Sequence, residues 1–254
     1  MNHAASPPPT RVEVSRRGGR WQTRLRSSLL RPQLLHGPAD RCRVALLATT
    51  ALLLGGDEVR LEIDVAAGAT LELSDVAGTV AYDGRGAAAC WDVSIRVADG
   101  GRLRWSGQPF VVADGARVSR TLDLQLFGTA QALLRETLVL GRTGQAGGTV
   151  RNRTVVHRDG RPLLLEDLLL EPDGIRLLPG MLGQERVLDS VLALGVPLPA
   201  GPAKQPGLET FGLPEAGSTL SRRLGRALDA SPLHARWAGW ALPAEPTPVG
   251  SSPV

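Results

Sequence analysis

The chain is predicted to be mainly β, with one or two short helices near its C-terminus. Three observations predict this. Apolar and polar residues alternate through run after run, Asx-Gly pairs punctuate those runs, and the 30 Gly and 19 Pro among 254 residues favour turns over long helices. A period of two is the pattern of a strand with one face buried.

In chain order, residues 1–20 are polar, with Pro7-Pro8-Pro9 and Arg16-Arg17-Gly18-Gly19-Arg20, and read as a disordered arm rich in Arg and Pro. The apolar run Val44 to Leu54 carries Thr49 and Thr50, falls short of the ~20 residues of a membrane span, and begins too late for a signal peptide. Strict alternation follows in Val59–Val65, Thr70–Ser74, Val93–Val97, Arg102–Trp105 and Thr121–Leu126. Asp83-Gly84, Asp99-Gly100, Asp114-Gly115, Asp159-Gly160 and Asp173-Gly174 mark turns, since Gly accepts the positive φ that tight hairpins require.

A loose V-x-x-G-x-x-(L/V) frame recurs at Val65–Leu71, Val97–Leu103 and Val112–Val118, with glycines 32 and 15 residues apart. No fixed period emerges, so the spacing alone does not support a strict solenoid. Gly183–Leu194 and Pro232–Leu242 are the helix candidates, the second with Leu233, Trp237, Trp240 and Ala241 on one side. Residues 196–207 are a Pro-rich loop. The expected organisation is an arm over 1–20, one β-rich domain over 21–242, and a disordered tail over 243–254.

Charge and chemistry exclude several classes. Residues 1–43 hold nine Arg against Glu13 and Asp40, a net of +7, whereas the remainder is mildly acidic at −3. A nucleic-acid binder is expected to spread basic charge over a folded face instead. Cys42 and Cys90 form no CxxC, which excludes a disulfide framework and a Cys-rich zinc site and suits the cytoplasm. Phosphate-loop, zinc-protease, nucleophile-elbow and kinase signatures are absent. Gly141–Gly148 resembles a phosphate cradle but precedes a strand-like run instead of a helix. His157 and Asp159 fall on one face of a strand end and are read as part of an Asp159-Gly160 hairpin before a ligand pair. Glu136 and Glu166 stand out because each sits among leucines, the context of an acid lining a polar interior.

Six segments carry a resemblance by their order: Leu52–Asp57, Leu61–Leu71, Ala77–Arg85, Gly101–Pro109, Glu136–Gln145 and Asp159–Glu166. Together they resemble the urease accessory protein D family, also called H, in its actinobacterial form, over residues 24–242. The chain departs from the family pattern at Ser74-Asp75-Val76, and at Gln145 where a Glu is usual. The resemblance implies a helically wound, solenoid-like β-sheet, and no enzymatic activity. It implies a scaffold that binds the urease apoenzyme and accessory proteins F and G, with nickel in transit and GTP used by the G partner, not by this chain. Sparse carboxylates suit passage of nickel better than a His/Cys cage, which would trap it. Asp57, Glu136 and Glu166 are the acids expected to line such a passage. Two other readings are a carbohydrate-active enzyme or binding module, whose catalytic form needs two facing carboxylates, and a nucleic-acid-associated protein using the Arg-rich arm.

Overall fold

The structure, a computed structural model, describes residues 6–174, 177, 182–197, 207–228 and 231–239. The described residues form 17 strands and one helix. Seven strands make one sheet, in the order β14-β13-β11-β8-β5-β1-β2. These are β1 (Thr10–Arg17), β2 (Arg20–Arg26), β5 (Glu58–Val65), β8 (Ala89–Val97), β11 (Arg117–Leu126), β13 (Thr149–Arg158) and β14 (Arg161–Leu170). The second sheet has ten strands: β3 (Leu30–Leu35), β4 (Cys42–Ala48), β6 (Thr70–Asp75), β7 (Thr79–Ala81), β9 (Arg102–Ser106), β10 (Phe110–Val112), β12 (Gln131–Leu140), β15 (Val187–Leu194), β16 (Leu208–Gly212) and β17 (Thr219–Gly225).

The chain passes repeatedly from one sheet to the other and winds as a β-solenoid of about four coils. Parallel pairing joins β5, β8, β11 and β13 on one face, and β4, β6, β9 and β12 on the other. Leu61 pairs with Val93, Leu73 with Trp105, and Leu122 with Thr154, each 32 positions further on. Alternation explains the core. On β5, Val59, Leu61, Ile63 and Val65 are buried while Glu58, Arg60, Glu62 and Asp64 point outward. Each fully buried aliphatic side chain stabilises by about 1.5–3 kcal/mol.

The corners explain the irregular glycine spacing. Gly68 and Gly100 occupy the same corner in successive coils, 32 residues apart, and Gly68 N–H donates to the Asp99 carbonyl at 3.1 Å. Gly115 belongs to the other corner, between β10 and β11, where a Cβ would run into Asp83 of the coil before. The interval of 15 is therefore the distance between corners, and 32 is one full coil. Backbone hydrogen bonds stack each corner on the next: Ala98 N–H to Val65 O at 2.9 Å, then Phe127 N–H to Val97 O at 3.0 Å.

Two expectations are corrected. Residues 10–20 are not part of a disordered arm, because β1 and β2 form an antiparallel hairpin and β1 adds in parallel to β5. Val12 and Val14 alternate into the core there, a signal that the density of arginine conceals. The segment Gly183–Leu194 is not helical, since Val187–Leu194 is β15. It is buried on both faces, and its apolar pairs Val187-Leu188 and Val191-Leu192, split by Asp189-Ser190, mimic the spacing of a helix face. The second helix candidate does form, as α1 (Pro232–Gly239), with Leu233 and Trp237 buried. Trp240, Ala241, the tail 243–254 and residues 198–206 of the Pro-rich loop lie outside the described residues.

α1 covers the outer face of the ten-stranded sheet, where Leu233 and Trp237 pack with Leu133, Val191 and Ala193. Its start is latched by Asp189, which accepts from Arg135 at 3.0 Å, from the Thr137 hydroxyl at 2.9 Å and from the Ser231 hydroxyl. No helix among the described residues is long and apolar enough to cross a membrane.

Candidate functional site

The interior changes character along the solenoid. One inward row of the seven-stranded sheet runs Val59, Trp91, Arg120, Asn152, so apolar side chains give way to polar ones in the later coils. Opposite it, Glu136, Ser190 and Arg222 lie side by side on β12, β15 and β17. All of these but Val59 line a cavity of about 80 Å³ between the sheets, room for a few waters. Asp75, Trp105, Gln108 and Glu166 also line it.

Two ion pairs cross the cavity from sheet to sheet. Arg120 of β11 donates from Nη1 to Asn152 Oδ1 at 2.6 Å and from Nη2 to Glu136 Oε1. Its guanidinium also sits over the Phe110 ring at 4.2 Å, itself edge-on to Trp91. Arg222 of β17 holds Glu166 of β14 through both oxygens, at 2.6 and 2.8 Å, and donates from Nε to Ser190 Oγ at 3.2 Å. Bidentate pairing fixes orientation as well as charge.

Asp75, at the end of β6, accepts from Trp105 Nε1 at 3.1 Å and from the Gln108 N–H at 3.1 Å. Burial pushes its carboxyl up to about 6, and the negative charge of Glu136 adds to that push. The two hydrogen bonds and the charge of Arg120 pull in the other direction. The cavity thus holds three carboxyl groups, Asp75 pushed toward its neutral form by burial, and Glu136 and Glu166 each paired with an arginine.

The sequence-selected acids separate here. Glu136 and Glu166 line the same cavity from facing sheets. Asp57 does not: its carboxylate accepts the Leu54 N–H at 3.0 Å and closes a surface turn before β5, so turn chemistry accounts for it. Asp75, Arg120 and Arg222 escaped selection although a signal existed. Each occupies an inward position of an alternating run, after Leu71 and Leu73, between Val118 and Leu122, and between Leu220 and Leu224. A charge on the buried parity of a strand marks a polar interior more sharply than apolar neighbours alone.

The remaining sequence features are structural. Asp159-Gly160 is the β13–β14 turn, both residues with positive φ. The Gly141–Gly148 loop leads into β13, a strand, and Gln145 Oε1 accepts the Arg142 N–H at 3.0 Å. Cys42 and Cys90 are free thiols. Among the described residues no three His, Cys, Asp or Glu side chains come together closely enough to hold a metal.

Comparison with known proteins adds the family context. A family model described as UreD urease accessory protein matches residues 10–239. The chain is 50% identical over 197 residues to urease accessory protein UreD 1 of Streptomyces griseus subsp. griseus, covering 76% of this chain and 77% of that protein. It is 35% identical over 226 residues to urease accessory protein UreD of Frankia alni, covering 76% and 75%. With the UreD protein of Frankia casuarinae the identity is 36% over 200 residues, covering 74% and 61%.

Proposed function

Because this chain belongs to the UreD urease accessory protein family, a non-catalytic family that acts in urease maturation, we propose that nickel travels to the urease apoenzyme through the polar seam between its two sheets. The observation that carries this reading is the convergence of Asp75, Glu136 and Glu166 on one interior cavity from three different strands. A carboxylate aimed between two packed sheets contributes nothing to apolar packing, so three at one place call for a reason beyond the core. Oxygen donors that do not close into a full coordination shell bind a divalent ion weakly enough to release it.

In this reading the solenoid works in the cytoplasm as a docking frame for accessory proteins F and G and for the urease subunits. GTP is consumed by the G partner. Nickel is cargo, and no bond is made or broken on this chain.

The test is maturation of urease with isosteric variants. Glu136→Gln and Glu166→Gln keep volume and one accepting oxygen but remove the charge. Urease matured with either should contain several-fold less nickel, while the variant chains still co-purify with the accessory partners. Full nickel content with both substitutions present would overturn the passage.

A further inference from the structure

We propose that Arg120 and Arg222 are the closures of this seam: each occupies the glutamate that a divalent cation would need, and each must leave it before a cation can enter. The inference rests on the passage reading above and adds the element that holds the passage shut.

The geometry supports closure rather than a standing cation path. Both oxygens of Glu166 are engaged by Arg222, at 2.6 and 2.8 Å, so the guanidinium takes one lone pair on each and neutralises the charge a cation would seek. Glu136 is held by Arg120, whose other amino group is tied to Asn152 at 2.6 Å and whose plane rests on Phe110 at 4.2 Å. Each pair is neutral. A divalent ion entering such a site would leave bulk water, meet no net negative charge, and face two fixed cations a few ångströms away. The positive charge of each guanidinium repels a divalent ion at that range, twice as strongly as it would a monovalent one. Ion entry and arginine departure are therefore one exchange: the carboxylate passes from guanidinium to metal.

The two closures differ. Arg222 grips through a fork and can turn toward Ser190, which it already contacts at 3.2 Å. Arg120 makes a single bond to Glu136, and its charge also acts on Asp75, a second acceptor in the same cavity. An arginine displaced from Glu136 thus has a carboxylate to receive it.

The test uses the full chain and nickel(II) alone, with binding followed by calorimetry at neutral pH. Arg120→Gln with Arg222→Gln should tighten nickel binding at least tenfold over the unchanged chain. Adding Glu136→Gln and Glu166→Gln to that variant should remove the gain. Equal affinity with and without the arginines overturns the closure. If the Gln variants do not fold, Arg222→Lys decides: lysine cannot hold both oxygens of Glu166, so binding should tighten about threefold, and unchanged affinity overturns the proposal. The passage itself is judged separately, by the nickel content of urease matured with Glu136→Gln and Glu166→Gln. Nickel loading that falls in those variants, beside arginine variants that bind no better, would sink the closure and leave the passage standing.

Discussion

Arg120 and Glu136 belong to opposite sheets and meet inside the solenoid, yet they are buried unequally: the Arg120 side chain is 8% exposed and that of Glu136 is 37% exposed. The pair therefore has a dry end and a wet end. Removing the partner of the dry charge should cost more than removing the partner of the wet one.

That asymmetry is the first prediction. Glu136→Ala leaves a buried guanidinium without its counterion and should destabilise by about 3 kcal/mol. Arg120→Met leaves a carboxylate that water can reach but takes the donor from buried Asn152, and should cost about 1–2 kcal/mol. Urea unfolding of the two variants measures both; equal losses would mean that the burial difference carries no energetic weight.

Asp75 supplies a pH dependence. Its carboxyl is pushed up to about 6 in the fold, from an ordinary 3.8. The folded state therefore holds that proton more tightly than the unfolded chain does. The contribution to stability is greatest below about 4 and is lost as pH rises through about 6. Relative to Asp75→Asn, which cannot titrate, the natural chain should lose roughly 3 kcal/mol between pH 4 and pH 7. A stability difference that stays flat across that range would contradict the burial of this group.

The latch on α1 predicts a local effect. Asp189 is 1% exposed and receives hydrogen bonds from Arg135, Thr137 and Ser231. Asp189→Asn strands the Arg135 charge and weakens the helix cap, at a cost of about 3 kcal/mol. Hydrogen exchange should speed up in residues 232–239 far more than in β5 or β8. Uniform acceleration through the whole molecule would show that the latch is not local.

Gly148, at a coil corner, and Gly160, in the β13–β14 hairpin turn, separate steric from conformational need. A Cβ on Gly148 would overlap the carbonyl oxygens of Ala113 and Ala116, so Gly148→Ala should cost about 3 kcal/mol through forced movement of the corner. Gly160 has φ +76° and nothing within 4 Å of a Cβ, so Gly160→Ala should cost only about 1 kcal/mol, the strain of a left-handed residue. Thermal melts of both variants test the ranking, which reverses if the corner can relax around an added methyl.

Much of this fold was legible before any coordinates. Strict alternation located β5, β6, β8, β9 and β11, and Asx-Gly pairs located turns such as Asp159-Gly160. The hairpin β1–β2 is concealed in the sequence, where arginine content outweighs two alternating valines. β15 resembles a helix in sequence because both of its faces are covered and its apolar residues do not alternate. The family was legible from ordered segments, and the matched range 10–239 places it over the same body. Of the acids chosen from their apolar neighbours, Glu136 and Glu166 line the cavity whereas Asp57 closes a turn.

By itself, the sequence determined the local terms: which residues alternate, where the chain can turn, and which charges fall on the buried side of a strand. Only the tertiary structure decided which charges face one another, because Arg120 meets Glu136 and Arg222 meets Glu166 across separations of 16 and 56 residues. Such pairing depends on how one coil is seated on the next and on the gap between two sheets. Those are distances in space, and the alternation of side chains along a strand carries no record of them.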